Sequence, residues 1–181
     1  LGKTHLLHAV GNYLRAHRAH TKILYLTCEA LASRIEASRL DVGPGGFPAR
    51  LSELDCLLLD DLQFLSGRRE LQEEAVRLFD DLSNAGKQMI LACDRPPKAI
   101  TDLDERLVSR FESGLVANIQ APDLETRIQI LRQRAADGHL SVDTSVLAYI
   151  ANLVEDNVRE LGGALNRVVA FSSLMGRPIT P

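Results

Sequence analysis

The sequence predicts an α/β fold, in which a parallel β-sheet is covered by helices on both faces and is followed by a smaller helical part. Short apolar runs alternate with amphipathic helical segments along the first part of the chain. The runs are apolar throughout, which is typical of strands buried on both faces of a parallel sheet. After Pro122 only helical patterns continue. We therefore expect an α/β domain over residues 1–121 and a helical domain over residues 122–181.

In the α/β domain, apolar residues recur at the three- and four-residue spacing of a helix in three segments. These segments predict helices over residues 4–19, 29–38 and 71–83. The apolar runs predict four strands, over residues 23–28, 56–60, 89–93 and 115–119. Glycine and proline dominate residues 43–48, which predicts a loop before the second strand.

The helical domain has the pattern of three helices, over residues 123–136, 144–154 and 158–173. Asp123 is of a residue type that favours the N-cap of a helix. The last of these helices contains Gly162 and Gly163, although a glycine inside a helix costs roughly 1 kcal/mol relative to alanine. We expect either close packing against a neighbour at these glycines or a locally soft helix.

Composition excludes several classes of protein. With 45% hydrophobic and 25% charged residues, the 181-residue chain has the composition of an ordinary globular protein. Its net charge of −3 argues against a strongly basic nucleic-acid-binding protein, and no apolar run approaches the roughly 20 residues that span a membrane. Cys28, Cys56 and Cys93 lie in or beside apolar runs, so we expect free core thiols in a reducing, cytoplasmic compartment.

The first residues of the chain match the end of a phosphate-binding loop, whose full pattern is G-x-x-x-x-G-K-[ST]. In such a loop Gly2 lets the backbone approach the phosphates and Lys3 reaches the β- and γ-phosphates. The Thr4 hydroxyl binds Mg²⁺, and the N-terminus of the following helix adds its partial positive charge. These three residues alone also fit a chance helix start.

A second motif decides between these alternatives. Asp60 and Asp61 end an apolar strand, which is the pattern of a Walker B motif. In that motif Asp60 holds the metal with Thr4, and Asp61 orients the attacking water. By itself the acidic pair also fits a helix cap or a turn. Together the two motifs predict a nucleotide site with Mg²⁺. We also expect the chain to be a piece of a longer protein that begins inside the phosphate loop, without the first strand of the sheet.

Several longer motifs carry a resemblance to a known family. The stretches GKTHLLHAVGN, LLLDDLQFLSGRRELQEE, DERLVSRFESGL, APDLETRIQIL and NVRELGGALNRV resemble the AAA+ domain of the DnaA family, the bacterial initiators of chromosomal replication. The resemblance implies a P-loop AAA+ fold, with a three-layer parallel-sheet base and a helical lid. It also implies ATP and ADP as ligands with Mg²⁺, and weak ATPase activity that serves mainly as an assembly switch.

The resemblance further implies roles for four residues. Asp94 matches the sensor 1 position, which reads the γ-phosphate, and Arg159 matches the sensor 2 arginine of the lid. Arg110 matches the arginine finger, which reaches the ATP of a neighbouring subunit, and Arg106 matches a second basic interface residue. Simpler alternatives are a capped turn for Asp94, an ion pair with a nearby acid for Arg159, and solvated helix-end charges for Arg106 and Arg110.

Partners also follow from the resemblance. It implies self-assembly into a homo-oligomer at the chromosomal origin, unwinding of duplex DNA there, and contact with the replicative helicase and its loader. Duplex contact is expected from a further domain beyond residue 181. The family carries a helical insertion for single-stranded DNA before the Walker B strand, but this segment is short here and interrupted by residues 43–46, so we assign no DNA-binding residue.

Two other functions stay open on the sequence. A regulator or adaptor related to the family would use the same domain to bind nucleotide and protein partners without origin recognition. A helicase or clamp loader of the wider AAA+ class would share the nucleotide motifs. The SRF and NVREL motifs argue against that second alternative.

Overall fold

The computed structural model describes residues 2–38, 47–155, 157–176 and 179. Contacts divide the chain into two compact units, one over Lys3–Ala117 and one from Asn118 onward, to which Gly2 also belongs. None of the described helices is long and apolar enough to cross a membrane.

The first unit is built on a parallel sheet of three strands in the order β1-β2-β3. Their bounds are Ile23–Thr27 for β1, Cys56–Asp60 for β2 and Gln88–Leu91 for β3. All five residues of β2 are buried, because this strand lies between two others and is covered on both faces. This burial explains why the strand is apolar from Cys56 to Leu59.

Among its described residues, this unit has five helices: α1 Lys3–His17, α2 Cys28–Ser38, α3 Phe47–Ser52, α4 Arg69–Asn84 and α5 Glu105–Glu112. Side chains of β2 alternate between two apolar clusters. Leu57 and Leu59 pack in a cluster with Phe79 of α4, whereas Leu58 packs in another with Leu7 of α1. The helices therefore cover both faces of the sheet and form the three layers that the sequence predicts.

Close packing of α1 on the sheet depends on Gly11. A Cβ atom at this position would lie 3.1 Å from Cδ1 of Leu58. Because Leu58 is buried and has little room to move, the glycine lets the helix backbone come nearer to β2 than another residue would.

The loop predicted over residues 43–48 lies outside the described residues as far as residue 46, and Phe47 begins α3. Proline is compatible with the first turn of a helix, because its missing N–H has no partner there in any case. This is why α3 can contain Pro48, a residue that the composition of the segment assigned to a loop. The sequence pattern also gave no indication of the 3₁₀ turns Leu62–Leu65 and Pro97–Ala99.

Buried Gln72 of α4 joins the segment before α5 to the rest of the unit. Its Nε2 donates to the carbonyl oxygens of Leu65 (2.8 Å) and Asp102 (2.7 Å). Its Oε1 accepts from the N–H of Asp104 at 2.7 Å. This amide is 4% exposed, and these three bonds satisfy it without water.

The second unit consists of helices α6 Leu124–Asp137, α7 Thr144–Leu153 and α8 Val158–Met175. Each helix is preceded by an N-cap residue whose side chain accepts a hydrogen bond from an N–H of the first turn. These N-cap residues are Asp123, Asp143 and Asn157, respectively. Their apolar faces meet in one core, whose most buried members are Leu131, Ala151 and Leu161.

Arg134 of α6 explains one of the two helical glycines. A Cβ atom on Gly162 would overlap with a terminal guanidinium nitrogen of Arg134 and would lie 2.7 Å from its Cζ. The guanidinium therefore occupies the space that a side chain at 162 would need. At Gly163 the nearest atom, in Arg167, lies at 3.4 Å, which is an ordinary contact distance.

The strand predicted over residues 115–119 is wrong. In the part of the chain that the structure describes, these residues pair with no strand, and Leu115 is 99% exposed. An apolar run indicates that a segment can enter a sheet, but a strand also needs a neighbouring edge to bond to. β3 bonds to β2 alone among the described strands.

Candidate functional site

The predicted phosphate and metal residues meet at the carboxyl edge of the sheet. Asp60 is the last residue of β2, and Thr4 lies in the first turn of α1. The Thr4 hydroxyl donates to Oδ2 of Asp60 at 2.5 Å. Two residues separated by 56 positions in the chain are thus in direct contact. The carboxyl edge of a parallel sheet, beside a helix N-terminus, is also where open α/β folds place phosphate ligands.

Asp60 is almost fully enclosed, with 2% of its surface exposed. The hydroxyl of Tyr25 on β1 also approaches its Oδ2, at 3.4 Å. Burial raises the pKa of Tyr25, and the negative charge of Asp60 raises it further, so the phenol stays protonated and available as a donor. The ring of Tyr25 in turn packs on His8 of α1, with ring centroids 4.3 Å apart.

The donor set of Thr4 and Asp60 fits Mg²⁺. One hydroxyl and one carboxylate oxygen are hard ligands, and Mg²⁺ commonly uses one or two protein oxygens together with phosphate oxygens and water. Among the described residues there is no group of three or more His, Cys, Asp or Glu side chains that could hold a metal ion. An ion at Thr4 and Asp60 would therefore take its remaining ligands from nucleotide and water.

Asp61 adopts an uncommon backbone conformation next to this pair. Its φ of 59° and ψ of 48° are left-handed, a region that few non-glycine residues occupy and that often marks functional sites. Its N–H donates to Oδ1 of Asp60 at 3.0 Å, and its side chain is exposed. The side chain accepts a hydrogen bond from Nε2 of Gln63 at 2.9 Å.

Asp94 lies just beyond β3, at the same edge of the sheet. Its carboxylate forms two hydrogen bonds with the guanidinium of Arg95, at 2.8 and 2.9 Å. Arg95 lowers the pKa of Asp94, and the positive charge of Lys3 contributes in the same direction. Lys3, the first residue of α1, is thus electrostatically coupled to Asp94 across the site.

Gln63 is a residue that the sequence analysis missed. Its Oε1 accepts from the N–H of Asp94 at 3.4 Å and lies 3.6 Å from the thiol of Cys93, while its Nε2 donates to Asp61. A neutral amide does not stand out among carboxylates. The available signal was its position, two residues after the acidic pair and inside the motif LLLDDLQFL.

The two predicted interface arginines lie on α5 and form ion pairs within the first unit. Arg106 pairs with Asp104, its Nε 3.0 Å from Oδ1 and its terminal nitrogen 2.8 Å from Oδ2. These bonds lower the pKa of Asp104 to about 2. Arg110 pairs with Asp80 of α4. The structure therefore directs both arginines to neighbouring acids and does not bring them to the Thr4–Asp60 contact.

The other two predicted residues belong to the second unit. Gly2 has a φ of +80°, a conformation that glycine adopts without strain. Arg159 lies in the first turn of α8, where its N–H donates to Oδ1 of Asn157 at 2.9 Å and its side chain is exposed. An exposed guanidinium at a helix start is accessible to a ligand.

Comparison with known proteins identifies the family. The family model of the bacterial DnaA ATPase domain matches residues 1–118. The chain belongs to the bacterial DnaA ATPase domain family. The similarity to DnaA structures extends beyond residue 118. Domain III of the replication initiation protein DnaA from Thermotoga maritima is 34% identical to this chain, with a TM-score of 0.89. The match covers 99% of this chain and 75% of that chain.

Two DnaA structures with nucleotide are also similar. AMPPCP-bound DnaA from Aquifex aeolicus is 33% identical, with a TM-score of 0.79 over 97% of this chain and 53% of its own. A replication initiator DnaA bound to AMPPCP and single-stranded DNA is 33% identical, with a TM-score of 0.78 over 92% of this chain and 51% of its own. The chain thus spans about half the length of these two DnaA chains.

A more distant match concerns the fold alone. The RuvB Holliday junction branch migration motor of Thermotoga maritima is 18% identical, with a TM-score of 0.70 over 99% of this chain and 55% of that chain. Together with the DnaA matches, this likeness shows that the chain has the α/β P-loop fold of AAA+ proteins.

Proposed function

We propose that this chain is the ATP-binding switch of a DNA replication initiator. The observation that carries the proposal is the 2.5 Å hydrogen bond between Thr4 and Asp60, which joins the end of the phosphate loop to the Walker B strand. The family membership and the two similar DnaA structures that hold AMPPCP support it.

In this proposal the nucleotide-binding base consists of the first unit and of Gly2, which directly precedes it in the chain. Gly2, Lys3 and the first N–H groups of α1 bind the phosphates, because a helix start and an ammonium both favour negative charge. Thr4 and Asp60 hold Mg²⁺, which neutralises charge on the β- and γ-phosphates when it is bound. Asp61 accepts a hydrogen bond from the attacking water and orients it toward the γ-phosphate.

The remaining predicted residues distinguish ATP from ADP. Asp94 reads the γ-phosphate from the end of β3, and Arg159 contacts the nucleotide from the helical lid, which is the second unit. Arg110 reaches the ATP of a neighbouring subunit. To do so, its guanidinium leaves Asp80 and binds phosphate oxygens instead. ATP shifts the protein toward assembly only through such contacts, because ADP lacks the group that they bind. Slow hydrolysis then resets the switch.

The wider biological role belongs to the same proposal. The protein assembles into a homo-oligomer at the chromosomal origin in the cytoplasm, promotes unwinding of the duplex and receives the helicase and its loader. Contact with single-stranded DNA is supported by the similar DnaA that was solved with single-stranded DNA.

A binding experiment tests the nucleotide site. In the longest native chain that carries this sequence, Lys3→Ala should abolish binding of a fluorescent ATP analogue. Lys22→Ala is the matched control, because Lys22 is an exposed lysine that pairs with Glu53 at 2.7 Å. Equal affinity of the Lys3→Ala variant and the wild type would contradict the site.

A second experiment tests the switch. Light scattering should show assembly in ATP and not in ADP, and Arg110→Ala should lose assembly while it still binds ATP. Nucleotide binding without any nucleotide-dependent assembly would favour the regulator or adaptor instead.

A further inference from the structure

The geometry points to Gln63 as a positioning residue for hydrolysis, one that holds the Asp61 carboxylate in place and couples it to the end of β3. This inference rests on the proposed nucleotide site and names a residue to which the sequence motifs assign no role. Gln63 acts through Asp61 and does not itself contact the reacting atoms.

The two ends of the Gln63 amide match their partners chemically. Nε2 of Gln63 donates to Oδ1 of Asp61 at 2.9 Å, and Oε1 accepts from the N–H of Asp94 at 3.4 Å. A carboxylate only accepts and an N–H only donates, so each end of the amide faces the partner that it requires. Glutamine therefore fits this position in one orientation, and a side chain without both a donor and an acceptor does not.

Backbone hydrogen bonds and buried side chains hold the 3₁₀ turn that carries Gln63. The N–H of Leu62 donates to the carbonyl of Ala92 at 3.1 Å, and the N–H of Ala92 donates to Leu59 at 2.9 Å. Leu62 and Leu65, at the two ends of the 3₁₀ turn, are buried. The backbone on which Gln63 lies is thereby fixed to β2 and to the residue that follows β3.

Without Gln63, the side chain of Asp61 would be free to rotate. Its side chain is exposed, so it could adopt several rotamers in water. The hydrogen bond from Gln63 selects one of them, and the N–H of Asp61 is held by Asp60. A general base or water-orienting group must be held within a fraction of an ångström of its productive position.

A consequence is coupling between the proposed sensor and the proposed water-orienting acid. If Asp94 shifts toward a γ-phosphate, its N–H moves with it, and this N–H donates the hydrogen bond to Oε1 of Gln63. Since the same amide holds Asp61, the two residues would respond together. The link to Gln63 uses the backbone N–H of Asp94, whereas the carboxylate of Asp94 pairs with Arg95. The carboxylate could therefore exchange Arg95 for another partner without breaking the link to Gln63.

Gln63→Met tests the inference in the longest native chain that carries the sequence. Methionine keeps the length of the side chain and removes both hydrogen bonds. We expect the single-turnover rate of ATP hydrolysis to fall about tenfold, as is common for residues that orient a functional group. The affinity for a fluorescent ATP analogue should change by less than about twofold, because no contact with the nucleotide is lost. Gln63→Glu, which loses the donor and places a second carboxylate beside Asp61, should lower the rate at least as far.

A double-mutant cycle shows whether Gln63 acts through Asp61. In an Asp61→Asn background, Gln63→Met should cause no further loss of rate, because the group that it positions is already gone. Gln88→Met is the matched control, since exposed Gln88 bonds only to the carbonyl of Met89 among the described contacts of its side chain. It should hydrolyse ATP at the wild-type rate.

The outcomes separate this inference from the proposed function. A wild-type rate in Gln63→Met, or a tenfold loss that persists in the Asp61→Asn background, would overturn the role of Gln63. Failure of the wild-type protein to bind ATP, or unchanged binding by Lys3→Ala, would instead overturn the nucleotide site on which the inference rests.

Discussion

At the scale of single residues, the proposed finger Arg110 is not free. It pairs with Asp80, and the two side chains are 36% and 39% exposed. To bind a phosphate on another subunit, the guanidinium must leave this partner. An ion pair with this exposure is worth roughly 0.2–1 kcal/mol, which is enough to modulate assembly and too little to prevent it.

Asp80→Asn should therefore favour assembly. Because the substitution weakens the competing pair, we expect the protein concentration at half-assembly in ATP to fall by up to roughly fivefold. Light scattering across a dilution series measures it. Asp81→Asn, the same change one residue further along α4, is the control. Weaker assembly of Asp80→Asn would show instead that Asp80 helps to present Arg110.

The low pKa of Asp104 predicts a dependence of stability on pH. Its pairing with Arg106 lowers the pKa to about 2 in the folded protein. A lowered folded-state pKa stabilises the fold above the unfolded pKa, and this contribution is lost as the pH falls through the folded value. Asp104→Asn keeps a capping residue but loses the charge. The difference in Tm between wild type and variant should be largest near neutral pH and should vanish between about pH 4 and pH 2.

Circular dichroism over that pH range checks this expectation, and Asp143→Asn provides a comparison at a helix cap that lies in the other unit. A difference in Tm that stays constant down to pH 2 would mean that the charge of Asp104 contributes nothing to stability.

At the scale of elements, Gln72 decides how α5 is held. Its three hydrogen bonds join α4 to the 3₁₀ turn and to the segment before α5. No periodicity argument reveals this, because a polar residue on the apolar side of a helix reads as a break in the pattern. Only the fold shows that backbone groups far along the chain meet there and require a partner.

Gln72→Leu should lower the free energy of unfolding by roughly 2–3 kcal/mol, since it leaves the partly buried N–H of Asp104 and two carbonyl groups without this partner. Urea denaturation measures the loss. Gln133→Leu is the control, because Gln133 is exposed on α6 and bonds to Asp137 at 2.8 Å. It should change stability by less than about 0.5 kcal/mol. A similar loss in both variants would refute a special role for Gln72.

The two glycines of α8 should respond differently to alanine. Gly163→Ala meets only an ordinary contact, so the better helix propensity should stabilise the protein by roughly 0.5–1 kcal/mol. Gly162→Ala must first displace the guanidinium of Arg134, and we expect a smaller gain or none. Thermal unfolding of the two variants tests whether Gly163→Ala gains more stability than Gly162→Ala. An equal gain in stability would mean that Arg134 moves aside without cost.

At the scale of the whole molecule, the proposal requires that both units serve one nucleotide. Ligand binding to the folded state raises its stability, so a bound nucleotide should raise Tm. Arg159 lies on the second unit and its side chain is exposed, which allows its role to be tested without unfolding the helices.

Arg159→Ala should leave the Tm of the nucleotide-free protein unchanged and should reduce the increase in Tm caused by ATP more than the increase caused by ADP. The physical reason is that an arginine fork binds phosphate oxygens, and ATP offers three more of them. Arg132→Ala, which removes an exposed arginine from α6, is the control. Equal responses of the two variants to both nucleotides would remove Arg159 from the site.

Residue type and spacing along the chain were enough to predict the strands β1 to β3, most helices, and each of the two nucleotide motifs, the phosphate-loop end and the acidic strand end. Those features are local, because spacing and residue type within a few positions decide them. Features that depend on a partner far along the chain became visible only in the folded structure. Residues 115–119 pair with none of the described strands, although they are apolar, and Gln63 meets the N–H of Asp94, 31 positions away. Hydrogen bonds and ion pairs of this kind require two groups to meet in space, which no pattern within one segment can specify.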